Sequence, residues 1–247
     1  MKRILIISAL LLAVAFTATA DRRRLMMARN VAAASPTYLI EEGFEEVDTG
    51  GALGSGTDGY DSALAAAETG TPNNDYATAP APLVGSRSLY LDSSAAVAQA
   101  VRWDLAAAQS ELWMYFKFSD ASLPMNSSQP ICEMVSSGGV TQGGVYLRTA
   151  SNFKVVNGTI LSTETTGTVS ASTTYHLWVH WKNDGTGDVG FSTDGVRPTS
   201  GNNYQTVTGG DGTSTVTRIY LRASDAALQT MIVDRFLVST SVIGDNP

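Results

Sequence analysis

Cysteine is nearly missing from this 247-residue chain: Cys132 stands alone, so no intramolecular disulfide can brace the fold. Within an alternating segment it reads as a small core residue, and no local base is there to activate its thiol. Charge is scarce as well. Asp, Glu, Lys and Arg make up 16% of the residues and sum to −7. That balance argues against a nucleic-acid binder, because phosphates are met by a basic face. The mostly apolar run Ile4 to Phe16 is too short to span a bilayer, so no stable membrane insertion is expected. A nucleophile elbow, a phosphate loop and a Cys/His zinc spacing are all absent. No stretch of useful length carries a helical period, and no internal repeat is visible.

What is abundant is turn chemistry and alternation. Gly (23 residues) and many Ser and Thr punctuate a chain that is 43% hydrophobic, enough to bury one large β core. Thr173 to Pro198 is the organising stretch. Tyr175, Leu177, Val179 and Trp181 alternate with His176, Trp178, His180 and Lys182, giving an apolar face and a polar-aromatic face. Asn183-Asp184-Gly185 then turns the chain, Asp188 to Ser192 runs back, and Asp194-Gly195 closes the second strand. Glu111 to Ser119 is equally clear, with Leu112, Met114, Phe116 and Phe118 opposed to Glu111, Trp113, Tyr115 and Lys117. Further strands are expected at Tyr38–Val47, Gly85–Leu91, Val97–Leu105, Ile131–Val135, Gly144–Thr149, Asn152–Val156, Val216–Arg222 and Met231–Thr240. Short strands with polar punctuation indicate an all-β sandwich or barrel. Thr49 to Pro82, rich in Gly, Ala, Asp, Asn and Thr, reads as a long loop.

The N-terminus reads as a secretory signal over residues 1–20. Lys2-Arg3 is the basic start, Ile4 to Phe16 the apolar run, and Ala18-Thr19-Ala20 a small-residue cleavage site. Residues 21–37 form a flexible lead-in and residues 38–247 the folded domain. The expected localisation is therefore secreted or extracellular. Arg22-Arg23-Arg24 opposes translocation, and translation starting at Met26 or Met27 would instead give a virion or cytoplasmic protein.

Four motifs recur in a familiar order. Tyr38–Val47 holds Gly43-Phe44-Glu45, similar to a "G-F-E" opening strand. Gly85–Leu91 resembles "G-x-x-S-L-x-L". Tyr175–Asp194 is similar to a "W/Y-H-h-x-V" strand leading through an Asn/Asp-Gly turn to "D-G". Met231–Gly244 resembles an "ID-x-V-x-V" closing strand that pairs beside the opening one. Together they resemble the concanavalin A-like, laminin-G-like jelly-roll superfamily over Tyr38 to Gly244. The resemblance implies a jelly-roll sandwich of two antiparallel sheets whose role is binding. It also implies a structural calcium where the first and last strands meet, with Glu45 and Asp234 as the candidate carboxylates.

Catalytic patterns of that fold fit poorly. Glu46-Val-Asp48-Thr-Gly-Gly51 lacks the last acid of the Glu-x-Asp-x-x-Glu strand used by glycoside hydrolases and lies at the wrong end of the chain. Tyr115-Phe-Lys117 is similar to the "Y-x-K-x-G-x-Y" strand of alginate lyases, but Phe118, Ser119 and Asp120 follow it, and the "Q-I-H" strand is absent. His176 and His180 lie about 13 Å apart along a strand, too far to share one metal ion. No catalytic residue is assigned. Trp113, Tyr115, Tyr146, Arg148, Trp178 and Tyr220 fall on the less aliphatic faces of their strands. With His176 and His180 they form a candidate platform for a glycan or other surface ligand, since pyranose rings offer apolar C–H faces and polar rims. Trp113, Tyr115 and Trp178 are expected to be accessible. Two other readings stand beside non-catalytic binding: a structural virion or surface-layer protein, and a polysaccharide lyase or hydrolase of the same fold.

Overall fold

The computed structural model describes residues 37–45, 62, 65–69, 83–85, 87–92, 98–120, 123, 129–223 and 230–247. The expected signal, the lead-in before residue 37, the alternative start and most of Thr49–Pro82 lie outside them. Thr37–Pro247 forms one unit. No helix among the described residues is long and apolar enough to cross a membrane.

Fourteen strands are described: β1 (Tyr38–Glu42), β2 (Ala65–Thr69), β3 (Leu89–Asp92), β4 (Gln99–Gln109), β5 (Glu111–Asp120), β6 (Gln129–Val135), β7 (Thr141–Leu147), β8 (Phe153–Asn157), β9 (Ile160–Leu161), β10 (Tyr175–Lys182), β11 (Thr186–Ser192), β12 (Tyr204–Val207), β13 (Val216–Ala223) and β14 (Thr230–Ser239). The first sheet runs β1-β14-β5-β10-β11-β12, with β3 also on β14; the second runs β2-β4-β13-β6-β7-β8-β9. Every pairing is antiparallel. The fold is an all-β jelly-roll sandwich, and the closing strand lies beside the opening one, Phe236 opposite Glu42.

The hairpin forms as its residues dictate. Lys182 pairs with Thr186, leaving a three-residue turn in which Gly185 takes φ +88°, a value that costs glycine little. The Asp184 carboxylate accepts the Thr186 amide at 3.1 Å and fixes the bend. The alternating stripes then meet across the sandwich. Leu112, Met114, Phe116, Phe118, Leu177, Val179 and Trp181 from the first sheet bury against Val101, Trp103, Val145, Phe153, Val155, Ile219 and Leu221 from the second. Cys132 is buried there, its Sγ 3.7 Å from Met114 Sδ, and burial pushes its thiol pKa far up.

Differences from the sequence reading fall at edges. β2 forms inside the stretch read as loop, where its Ala residues need only backbone pairing with β4. β9 is only two residues long, both apolar and exposed, and β12 only four with Val207 alone buried, so neither is long enough for alternation to show. β1 stops at Glu42 because that buried carboxylate accepts the Phe44 and Ser62 amides and Phe44 turns to φ +56°.

Two contacts set the sheets against each other. The Trp181 indole donates to the Gln142 carbonyl at 2.7 Å and lies so close to Gly143 that a Cβ there would overlap its Cδ1. Asn157, fully buried, donates to the Lys182 and Thr186 carbonyls, both at 2.8 Å, and accepts the Gly212 amide at 3.1 Å. Gly143→Ala is expected to destabilise the fold by about 1–3 kcal/mol, the usual cost of overpacking. The shift in urea midpoint measures it, and an unchanged midpoint would show that the indole can move away.

Candidate functional site

The outward residues of the first sheet line up in rows. Ser239, Trp113, His180, Asp188 and Thr206 form one; Leu237, Tyr115, Trp178, Gly190 and Tyr204 the next; Asp234, Lys117, His176 and Ser192 a third. The sequence reading put Trp113, Tyr115, His176, Trp178 and His180 on one face, and the structure brings them together. It does not leave them open. Trp178 is 1% exposed and Tyr115 0%, in a second apolar cluster with Leu237 and Ile243, edged by Tyr38 and Trp113. The expectation that Tyr115 and Trp178 are accessible is therefore corrected. Their cover is the C-terminal segment: the Trp178 Nε1 donates to the Gly244 carbonyl at 3.1 Å. That segment is tied to the turn after β11 by the Asn246 amide on the Gly195 carbonyl and the Arg197 amide on the Asp245 carboxylate. Pro198 lies over Gly190, where a Cβ would meet its Cγ at 2.9 Å.

Beneath this cover the Tyr115 hydroxyl and His176 Nδ1 are hydrogen-bonded at 2.8 Å. Burial pushes the phenol far above its ordinary pKa. Burial, helped by Lys117 and opposed by Asp194, holds the imidazole below its ordinary value. A phenol so enclosed is a poor base for any substrate. Trp113 is half-buried, stacked on His180 at 3.8 Å, with the Arg197 guanidinium over its ring at 4.5 Å. His180 Nδ1 meets Asp188 at 3.0 Å and Nε2 meets Glu111 at 2.9 Å, while Arg197 donates to Asp188 at 2.9 Å. These polar groups serve one another. Arg197 and Asp188 were missed by the sequence reading, although a strand-alternation count from His180 across the hairpin reaches Asp188.

Tyr146, Arg148 and Tyr220 stand elsewhere, on the outward face of the second sheet, with Tyr220 between Arg102 and Glu133 in one row and Tyr146 opposite Lys154. All three are half-buried. Arg222, Arg102, Arg218 and Lys154 share this face. Arg222 pairs with Glu133 at 2.6 Å and sits 5.7 Å over the Tyr220 ring. Arg148 pairs with Glu164 at 3.2 Å, and Lys154 with the same carboxylate at 3.6 Å. Arg102 and Arg218 share Asp104, at 2.9 and 3.8 Å. Burial and the neighbouring Glu133 raise the Tyr146 pKa, against Arg222 and Arg148.

Glu45 and Asp234 lie near each other, since Glu45 raises the Asp234 pKa. The oxygens of Asp234 are engaged by protein donors. Asp234 is buried, and its oxygens accept the Val84 amide at 2.7 Å, the Ser88 hydroxyl at 2.8 Å and the Arg235 amide at 2.7 Å. Two of these donors share Oδ2 and one meets Oδ1, so a calcium ion at this carboxylate would compete with them. Among the described residues no group of three or more acidic, His or Cys side chains could hold a metal. Asp234 keeps its place in the outward row and is buried there beneath Val84 and Ser88; β14 bulges just after it, where Arg235 adopts φ +51°. Desolvation is the largest influence on Asp234 and pushes its pKa up to about 6.

No family model and no curated protein sequence matches this chain; the likeness is structural. The fold is similar to the receptor binding domain of botulinum neurotoxin mosaic serotype C/D, with TM-score 0.56 and 9% identity, over 84% of this chain and 48% of that one. A second structure of that receptor binding domain matches at TM-score 0.53 and 10% identity over the same shares. Trypanosoma rangeli sialidase in complex with sialic acid matches at TM-score 0.45 and 13% identity, over 64% of this chain and 26% of that one, too distant to carry an argument. The chain spans less than half the length of each of these proteins. What the likeness to the receptor binding domain shows is a shared fold.

Two outcomes follow from the covered face and from Asp234. Trp178→Ala should lower unfolding free energy by about 3–5 kcal/mol, the cost of emptying a core aromatic site. Near-wild-type stability in urea would return Trp178 to the surface. For Asp234 the folded pKa lies above the unfolded one, so its contribution to stability is full below about pH 4 and is lost as pH rises through about 6. The loss is on the order of 2–3 kcal/mol. Urea midpoints from pH 3.5 to 7 should show this slope in the parent and a flatter one in Asp234→Asn, unmoved by chelator or millimolar calcium. A midpoint raised by calcium would instead establish the ion.

Proposed function

We propose that this chain is a non-catalytic glycan-binding module of the concanavalin A-like, laminin-G-like type, and that it binds through the outward face of the second sheet. The observation that carries the reading is the pair of half-buried tyrosines, Tyr220 and Tyr146, set among arginines on a face that the C-terminal segment does not cover. A tyrosine ring offers an apolar surface for the C–H face of a pyranose and a hydroxyl for its rim. Arginine supplies several directed donors for ring hydroxyls and substituents. The first sheet carries more aromatic area, but that area is a second core. Its polar residues, Glu111, His180, Asp188 and Arg197, are already paired. A catalytic reading finds no support in the Tyr115–His176 pair, because Tyr115 is buried.

The test is retention of the full chain on an array of neutral and acidic glycans. The Tyr146→Ala/Tyr220→Ala variant should lose roughly tenfold or more in affinity, equal to about 1.4 kcal/mol of binding free energy, while its urea midpoint stays near the parent's. A parent that retains no glycan would overturn the reading, and so would a double variant that binds as the parent does.

A further inference from the structure

The cations of this chain are unevenly placed. Ten of its 16 lysines and arginines follow Pro36, and so do all but one of its 23 acidic residues. Five of those ten cations, Arg102, Arg148, Lys154, Arg218 and Arg222, share the outward face of the second sheet. The described acids that meet them there are Asp104, Glu133 and Glu164. A chain of net charge −7 thus holds one face with two cations in excess. On β13 the order is Arg218, Tyr220, Arg222, so the two arginines leave the backbone about 13 Å apart with a tyrosine between them. The run continues diagonally to Tyr146, near Arg222 and Arg148. The arginine side chains are 26–37% exposed, so their donors stay within reach of a ligand.

We infer that the ligand of this face is an acidic polysaccharide, one whose sugar rings carry carboxylate or sulfate groups. This rests on the glycan-binding reading and narrows it. Alternating ring and guanidinium matches a polymer that alternates apolar ring faces with anionic substituents, and the planar fork of arginine suits both oxyanions. A nucleic acid fits less well. Phosphates in unbroken series are met by a broadly basic face, and a chain of net charge −7 offers none.

Two arginines can be removed with little disturbance, because each shares its carboxylate. Without Arg218, Asp104 keeps Arg102; without Arg148, Glu164 keeps Lys154 and Asn152. The experiment compares heparin, polygalacturonate, dextran and a single-stranded oligonucleotide as probes for the full chain, titrated from 50 to 500 mM salt. The expected result is binding to heparin or polygalacturonate that weakens with salt. It should weaken by roughly tenfold in Arg148→Gln/Arg218→Gln, with partial recovery in the corresponding double lysine variant and unchanged urea midpoints. Binding of dextran as tight as that of the acidic polymers, insensitive to salt, would overturn this inference while leaving glycan binding in place. An oligonucleotide bound as tightly as heparin would also overturn it. No binding to any of the three polysaccharides would overturn the glycan reading itself. A Gln variant that binds the acidic polymers as the parent does would place their site elsewhere and refute the assignment to this face.

Discussion

The two sheets can stack only as closely as Trp181 allows, and Trp181 is close because position 143 has no side chain. Its indole fills the space above Gly143 and its Nε1–H reaches the Gln142 carbonyl. Fixing that one ring sets the height of β10 over β7 and therefore the depth of the pocket that the aliphatic stripes must fill. Asn157 does the complementary work at the hairpin end. Its amide satisfies two carbonyls that flank the turn and its carbonyl takes the Gly212 amide. A buried polar side chain is tolerable only when fully partnered, and the two bonds to the Lys182 and Thr186 carbonyls require both sheets to be in register. Burial of the stripes supplies the drive to collapse; these two residues decide which collapsed arrangement is the one that forms.

Once the inner faces are used, each sheet has an outer face, and the two outer faces are finished differently. The first sheet carries Trp113, Tyr115 and Trp178 outward, more apolar area than water tolerates in one patch. The C-terminal segment answers this by laying Ile243 on the rings and offering the Gly244 carbonyl to the one indole donor there. The second sheet carries tyrosine and arginine outward, whose polar ends stay in water while their stems cover the sheet. Residues of this kind need no such cover, which is the difference between the two faces.

Strand by strand, much of the fold was legible in the amino-acid sequence, because alternation is a local property. Leu112 to Phe118 and Tyr175 to Trp181 could be read as apolar stripes from their spacing alone, and the structure places both stripes in the core. Whether the opposite face meets water is not local. Trp178 is capped by a carbonyl 66 residues later, and nothing in its neighbourhood announces that. The candidate platform failed as one surface for a related reason. Tyr146, Arg148 and Tyr220 share a periodicity with Trp113 and Trp178, but strand order assigns them to different sheets. Arg102 joins Arg218, Tyr220 and Arg222 only through the pairing of β4 with β13, so the cluster as a whole is not local either.

That pairing also explains how a sparse set of charges can act together. Asp104 lies between Arg102 and Arg218, and Glu164 between Arg148 and Lys154. Each carboxylate meets two cations, so it orders both while cancelling only one. Exposed ion pairs of this kind contribute little to stability. Their effect is on placement: a guanidinium already held by one carboxylate loses less conformational freedom when a ligand arrives, which raises affinity without adding a contact. Even spacing across the strands would have let each cation be neutralised or wander. Pairing two cations to one acid keeps the excess positive charge and keeps it in position, beside the rings of Tyr146 and Tyr220.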